Sequence, residues 1–332
     1  MANITTYDFI GSNTRKTILL MILFPISLVV LVYLMILLFS ALSGGAQSAY
    51  GHVSPLQAAN ALAIDVLPVI SVIAILWITI SYFFGQKFIL SAAGAVEINK
   101  QSAPEIIRLV ENIAITAGLP MPKVYVINDE SLNAFATGRD PKHSYIALTK
   151  GIIKKLEKPE LEGVIAHEMA HIGNRDIRLM LIMVVCISFA TIAAEMMLRF
   201  AMSSKSRGSG KNKGGGQLLL VALALALYIY GYLIAPLIKL AVSRTREYQA
   251  DATAALLTRN PEGLVNALRK ISKDSVVEKL NDKETMAAMC IATPLSPKKQ
   301  NSLFSKFSGL FATHPPIEDR IKALMTMDGY RS

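Results

Sequence analysis

The sequence predicts a mainly α-helical membrane protein, with four hydrophobic helices and an α+β part outside the membrane that contains a small β-sheet. Three observations favour this fold class. Of the 332 residues, 52% are hydrophobic, and the mean hydropathy is +0.43. Several apolar runs exceed the roughly 20 residues that a helix needs to cross a bilayer. The more polar stretches between them show helical or strand periodicity.

The charge and cysteine content exclude some classes of partner and site. The formal net charge is +10. We expect no nucleic-acid partner, because no basic stretch is interleaved with base-stacking aromatic residues. Positive charge beside apolar spans instead indicates membrane topology and a lipid bilayer as partner. Two cysteines, Cys186 and Cys290, are too few for a disulfide framework or a cysteine-based zinc site.

Two spans are predicted near the N-terminus. Residues 1–16 are polar, and we expect them to be cytoplasmic; residues 17–42 form the first span and residues 62–84 the second. The first run is longer than the apolar core of a cleavable signal peptide, which favours an uncleaved anchor. Arg15 and Lys16 precede it, and the loop between the spans has no Lys or Arg. The N-terminus and everything after residue 84 are therefore expected on the cytoplasmic side.

Residues 85–176 have the character of a soluble domain. Ser102-Ala103-Pro104-Glu105 is a typical helix start. The alternation of Lys123–Ile127 predicts a strand, and Ser144–Thr149 is a second strand, which we expect at an edge of the sheet.

Two further apolar segments, residues 177–200 and 217–242, are predicted as the third and fourth spans, and residues 243–332 form the second soluble part. Between the two spans lies a flexible loop, residues 203–216, with four positive charges. A hairpin that crosses the membrane would put this basic loop outside, which the positive-inside rule disfavours. A hairpin that is buried in protein or reaches only the interface is the alternative. The length of the segments favours crossing.

The motif that carries chemistry is His167-Glu168-Met169-Ala170-His171. Residues four apart lie on the same face of a helix, so His167 and His171 can direct two imidazoles at one ion. Glu168 can then reach a water on that ion as a general base, the pattern of zinc peptidases. The alternative is a buried helix with two histidines that are satisfied by hydrogen bonds.

Zinc in a hydrolase takes three protein ligands and leaves one position open. The other histidines are His52, which is predicted outside, His143, which is interpreted as structural, and His314. The best candidate for the third ligand is Glu247. It follows an apolar helix and stands four residues before Asp251, so both carboxylates share a helical face. Asp251 could then accept the free N–H of a ligand histidine; a solvated pair of carboxylates is the alternative.

These motifs resemble those of the HtpX-type membrane zinc metalloproteases, which are related to the CAAX prenyl endopeptidases. The resemblance rests on Ala166–His171, Gly173–Asp176, Arg246–Asp251, Asn133–Gly138 and His314-Pro315-Pro316, and it covers most of residues 85–330. It implies a cytoplasmic zincin-like metalloprotease domain built from both soluble parts. It also implies one Zn²⁺ per chain on His167, His171 and Glu247, with Glu168 as the catalytic base.

The resemblance further implies proteolytic control of misfolded or damaged membrane proteins, a stress response at the plasma or inner membrane. A CAAX-type prenyl-protein endopeptidase is a poorer match, because that branch has more spans than the four counted here. A membrane module in which zinc only stabilises the fold is the second hypothesis, although such a site would not need Glu168. A transporter is a third, which the lack of internal repeats disfavours.

Several further site residues are expected around the motif. His314, held by two prolines, is a candidate to stabilise the oxyanion, and Arg320 to pair with Asp251 or Asp176. If Ser144–Thr149 is an edge strand, it could hold an unfolded polypeptide substrate by strand addition. The residues of this predicted substrate site are Asn133, Ala134, Tyr145, Ile146 and Ala147.

Overall fold

The computed structural model describes residues 6–42, 47–48, 51–204, 220–231, 244–273, 290 and 315–327. The described helices are α1 (Thr6–Leu42), α2 (Pro55–Ala92), α3 (Pro104–Ala117), α4 (Lys150–Lys155), α5 (Lys158–Gly173), α6 (Asp176–Ser204), α7 (Leu220–Gly231), α8 (Arg244–Thr258), α9 (Pro261–Ile271) and α10 (Ile317–Met325). The described strands are β1 (Gln47–Ser48), β2 (Gly51–His52), β3 (Ala95–Ile98), β4 (Lys123–Ile127), β5 (Ala134–Asp140) and β6 (His143–Thr149).

Three described helices, α1, α2 and α6, are long and apolar enough to cross a membrane. The prediction of four spans is therefore not met by the described part of the chain. Of the predicted fourth span, residues 217–242, the structure describes only the apolar helix α7, and the rest of that prediction lies outside the described residues. Helix α1 also begins at Thr6, earlier than the predicted start of the first span at residue 17.

The chain divides into two compact units. One comprises residues 18–81 and 185–235, and the other comprises residues 1–17, 82–184 and 236–332. In the first of these, aromatic rings connect neighbouring helices. The ring of Phe189 on α6 packs edge-on against Phe24 of α1 and Trp77 of α2, at centroid distances of 5.8 and 5.4 Å. The small residues Ala74 and Ala194 are fully buried between the helices, which lets their backbones approach closely.

The second unit holds a four-stranded mixed sheet in the order β3-β4-β6-β5. Strand β4 pairs antiparallel with β3 and parallel with β6, and β6 pairs antiparallel with β5. The predicted strands are present, but the prediction that Ser144–Thr149 forms an edge is wrong. Strand β6 lies between β4 and β5, so both of its edges are already paired. In the described residues, β5 is an outer strand, and Cys290 makes a single antiparallel bridge to Phe135 on its outer side.

Helix α5 runs through the core of this unit. Glu157 and Glu160 form a reciprocal capping box at its start, and Lys270 of α9 donates to Glu160 at 2.7 Å. Two glycines let α5 and α9 approach closely. A Cβ on Gly163 would stand 2.9 Å from the Leu264 backbone, and one on Gly263 would stand 2.5 Å from the carbonyl oxygen of Pro159.

Candidate metal centre

Helix α5 presents His167, Glu168 and His171, and all three side chains are buried. Helix α8 packs against α5 and contributes Glu247, which is 1% exposed. Helical spacing therefore brings the two imidazoles onto one face, and the packing of α8 adds a carboxylate to them.

The side chains of His167, His171 and Glu247 converge. The two Nε2 atoms are 3.2 Å apart, and the Glu247 carboxylate oxygens lie 3.7 Å from Nε2 of His167 and 3.5 Å from Nε2 of His171. Tetrahedral ligands about 2 Å from a zinc ion are about 3.3 Å from one another. The three groups thus have the spacing of a metal site, and they are a cluster of the described residues that could hold one ion.

His167 is oriented by Asp251. Its Nδ1 lies 2.9 Å from Oδ1 of Asp251. Arg320 of α10 donates from Nε and Nη2 to the two oxygens of the same carboxylate, at 2.8 and 2.7 Å. The guanidinium also lies 3.8 Å from Glu247. Arg320 is completely buried, so its charge is matched by these carboxylates rather than by water.

His171 is oriented in the same way by Asp176. Its Nδ1 lies 2.9 Å from Oδ2 of Asp176. The other oxygen, Oδ1, accepts from Nδ2 of Asn13 at 2.7 Å and from Nη1 of Arg246 at 3.2 Å. An ionised carboxylate only accepts hydrogen bonds, so both imidazoles carry a proton on Nδ1. Both Nε2 atoms face Glu247, and with neutral imidazoles each offers a lone pair to a cation.

This arrangement suits a divalent cation. Three electron-pair donors, two imidazole nitrogens and a carboxylate, converge in a buried place. Together with the Glu247 donor, the cluster contains four buried carboxylates and two buried guanidinium groups: Glu168, Asp176, Glu247 and Asp251, with Arg246 and Arg320. With neutral imidazoles, two negative charges are left over, which a divalent ion would balance. The carboxylate behind each histidine matches the support that metal-binding imidazoles receive.

The protonation of the cluster follows from burial and charge. Burial, assisted by the Arg320 charge, lowers the pKa of His167 to about 4. Burial also lowers the pKa of His171, but the Asp176 hydrogen bond and the Glu247 charge outweigh it and raise the pKa to about 9. A cation that binds here must therefore displace a proton from His171. Burial opposes the ionised form of Asp251, yet Arg320 and His167 hold its pKa at about 2.

Glu168 lies beside this cluster with a different environment. Burial and, less strongly, the nearby Glu247 charge raise its pKa, while His171, Arg320 and the backbone N–H of Ala136 lower it, and the result is a pKa of about 7. A carboxyl group with a pKa near neutrality can both take and return a proton, as a general acid–base catalyst must. The hydrogen bond from Ala136 places β5 next to this carboxylate.

The other predicted site residues are only partly brought together. Asn133 directly precedes β5 and Ala134 begins it, and both residues are buried. Tyr145, Ile146 and Ala147 lie on the inner strand β6, where both edges are paired. They cannot hold a peptide by strand addition, and that part of the prediction is wrong. His314 lies outside the described residues. His143 is exposed and contacts Asp140 at 2.9 Å, away from the cluster.

Two residues of the site were not anticipated. Arg246 directly precedes Glu247 in the sequence. Since the neighbouring Glu247 and Asp251 were both assigned to the site, this position could have indicated that Arg246 belongs to it. Asn13 had no such signal, because an asparagine in a polar N-terminal stretch predicts nothing about a contact 163 positions away.

Known proteins resemble this chain over most of its length. Residues 100–328 match the sequence pattern of peptidase family M48. A protease HtpX homolog of Bacteroides fragilis (strain YCH46) is 40% identical over 312 residues, covering 94% of this chain and 95% of that protein. The protease HtpX homolog of Ligilactobacillus salivarius (strain UCC118) is 37% identical over 322 residues, covering 97% and 99%. The crystal structure of S. mikatae Ste24p matches with a TM-score of 0.43 at 21% identity, over 75% of this chain and 58% of that one.

Proposed function

This chain belongs to peptidase family M48 and is a membrane metallopeptidase, and we propose that it is a zinc-dependent endopeptidase that cleaves misfolded or damaged membrane proteins. Zinc, the catalytic role of single residues and the substrate class are parts of this proposal. We further propose that the active site faces the cytoplasm and that the membrane is the plasma or inner membrane. The basic flank at Arg15 and Lys16 supports that orientation.

The observation that carries the proposal is the convergence of His167, His171 and Glu247 beside Glu168. A site that served only to stabilise the fold would need the three ligands and no fourth acid. Glu168 is 2% exposed, and its pKa is raised to about 7, chiefly by burial. A buried carboxyl group at this position costs folding free energy, and catalysis is the reason that best accounts for it.

The mechanism assigns a task to each side chain. When bound, zinc supplies Lewis-acid chemistry and lowers the pKa of a bound water towards ~7. Glu168 takes a proton from the attacking water and returns it to the leaving amine. The Ala136 N–H holds the Glu168 carboxylate in place. Asp251 and Asp176 fix the tautomers of His167 and His171, so that neither imidazole turns away from the site.

We propose that substrates bind in extended form along the outer edge of β5, beginning near Asn133 and Ala134. A peptide added there by main-chain hydrogen bonds would pass beside Glu168, because the N–H of Ala136 on the same strand reaches that carboxylate. Main-chain recognition requires an unfolded segment but depends little on its side chains. Such a binding mode would accept damaged proteins of many sequences as substrates. Cys290 bridges Phe135 on this edge, so a substrate strand would replace that contact.

Zinc content and Glu168→Gln together test the proposal. Purified protein in detergent should contain about one zinc per chain. Glu168→Gln should retain that zinc and cleave an unfolded membrane substrate about 100-fold or more slowly than wild type, because the general base is lost. Glu162→Gln is the matched control, since Glu162 lies on the same helix and is partly exposed. It should cleave like wild type.

Other outcomes separate the alternatives. Full activity in metal-free protein would overturn the zinc mechanism. Equal cleavage by Glu168→Gln and wild type would remove the assignment of the base. Zinc binding with no cleavage by either protein would favour a non-catalytic module in which the metal only ties α5 to α8.

A further inference from the structure

Asn13 belongs to the N-terminal helix α1, and its side chain is buried at 1% exposure. It makes three polar contacts, all with residues beside the candidate metal centre. Its Nδ2 donates to Oδ1 of Asp176 at 2.7 Å and to the carbonyl oxygen of Asn174 at 2.9 Å. Its Oδ1 accepts from Nη1 of Arg246 at 2.9 Å. The amide is therefore satisfied at both ends by the segments that follow α5 and precede Glu247.

Asp176 needs such a partner to hold His171. One carboxylate oxygen accepts from Nδ1 of His171, and the other accepts from Asn13 and Arg246. A carboxylate fixed at only one oxygen can rotate about its last side-chain bond, and the imidazole would rotate with it. The hydrogen bond from Asn13 is the shorter of the two at the second oxygen, 2.7 Å against 3.2 Å.

Arg246 does not replace Asn13 in this role. Its Nε and Nη2 atoms are buried without a hydrogen-bond partner among the described residues. Its Nη1 atom contacts both Asn13 and Asp176. Asn13 thus orients the guanidinium as well as the carboxylate, and removing its amide would loosen both.

Each histidine is held by an aspartate, and different residues hold the two aspartates. Asp251, which holds His167, is clamped by two hydrogen bonds from Arg320. Asp176, which holds His171, is clamped by Asn13 with the help of Arg246. Arg320 lies within the residues that match peptidase family M48, whereas Asn13 lies before them. Part of the support of the second histidine therefore comes from α1, which lies outside the matched residues.

We propose that Asn13 is a positioning residue for His171, acting through the carboxylate of Asp176. The inference rests on the proposed role of His171 as a metal ligand. Partners that support metal-binding side chains typically change metal affinity about 10- to 100-fold when they are removed. Asn13→Ala is expected to weaken zinc binding about tenfold, because Asp176 keeps Arg246 as a remaining partner.

Zinc affinity of the full-length protein in detergent, measured by competition with a chelator, tests the inference. The visible spectrum of the Co²⁺-substituted protein gives a second readout, since it reports the ligand geometry and not the stability of the fold. Asn13→Leu accompanies Asn13→Ala, because leucine fills the space without a hydrogen-bonding group. Thr14→Ala is the matched control: its hydroxyl donates only within α1, to the carbonyl oxygen of Ile10.

Both Asn13 variants should lose zinc affinity and shift the Co²⁺ spectrum, and Thr14→Ala should do neither. In an Asp176→Ala background, Asn13→Ala should weaken binding little further, because its effect passes through the missing carboxylate. Unchanged affinity and spectrum in both Asn13 variants would overturn the inference, even if their melting temperatures fell. Zinc binding without proteolysis in wild type would refute the proposed function alone. A wild type that binds no zinc would refute both.

Discussion

Arg320 is a fully buried cation whose guanidinium group is matched to the Asp251 carboxylate by two short hydrogen bonds. Burial disfavours its charged form, yet the charge of Asp251 raises its pKa above the usual value. The pair stays ionised because each partner supplies what water would otherwise supply. Removal of one partner leaves the other charge buried alone.

We predict that Arg320→Leu lowers the free energy of unfolding by about 3–5 kcal/mol, the usual cost of breaking a buried pair on one side. Chemical unfolding of the detergent-solubilised protein measures it. Lys322→Leu on the same helix is the control, because Lys322 is exposed, and it should change stability by less than about 0.5 kcal/mol. The double variant Asp251→Asn/Arg320→Leu should recover part of the loss. No recovery would contradict the electrostatic explanation.

At this scale the sequence predicted most of the cluster and missed Asn13 and Arg246. Helical spacing brings His167 and His171 together, and the demand for a third ligand selects Glu247. The pairing of Arg320 with Asp251, offered as one of two options, is present. Asn13 could not be found in this way. Its contacts depend on how α1 packs, and no local pattern encodes packing between residues so far apart.

Among the elements, α5 shows how glycine controls the distance between helices. Gly163 stands against the Leu264 backbone of α9, and Gly263 stands against the carbonyl of Pro159. The two contacts are reciprocal, so each helix offers a side without a Cβ at the place where the other crosses. The position of α5, and with it the two histidines, depends on that approach.

We predict that Gly163→Ala lowers the free energy of unfolding by about 1–3 kcal/mol, since its Cβ would stand 2.9 Å from backbone atoms that cannot move independently. Thermal unfolding in detergent measures it. Gly173→Ala is the control in the same helix, where the nearest atom is the flexible end of Leu119 at 3.4 Å. The helix propensity of alanine should make that variant at least as stable as wild type. Equal stability of both variants would show that α5 and α9 can separate freely.

The elements themselves were predicted better than their order. The Lys158-Pro159-Glu160 signal marks the start of α5, and alternation marks β4 and β6. Alternation cannot tell which strand is a neighbour, however, and the parallel pairing of β4 with β6 was not visible in it. Along the chain, β5 comes between β4 and β6. In the sheet, β5 pairs with the other side of β6 and is an outer strand of the described sheet. The edge position was therefore predicted for β6, whereas β5 occupies it.

For the whole molecule, the crossing of α6 remains a prediction. The helix Asp176–Ser204 has the length and composition of a span, but the loop 203–216 that follows carries four positive charges. The length of the segment argues for crossing, and the charge argues against it. The residues of the candidate metal centre lie on both sides of this predicted hairpin in the sequence, so its two ends must return to one side.

We predict that a cysteine at Ser209 is labelled from outside intact cells by a membrane-impermeant maleimide, because the loop emerges from the membrane opposite the active site. Lys142→Cys, at an exposed turn, is the control and should react only after permeabilisation. The native Cys186 and Cys290 are buried and should contribute little background. Labelling of both positions only after permeabilisation would mean that the hairpin does not cross.

The residues around the metal centre extend from Asn13 to Arg320, almost the full length of the chain. Translation releases them in that order, so a nascent chain exposes the histidine motif long before Glu247 and Arg320 exist. Until then the emerging chain lacks one of the three converging groups, Glu247, and the partner of Asp251, Arg320. Synthesis thus delays completion of the proposed metal site until α10 has been made.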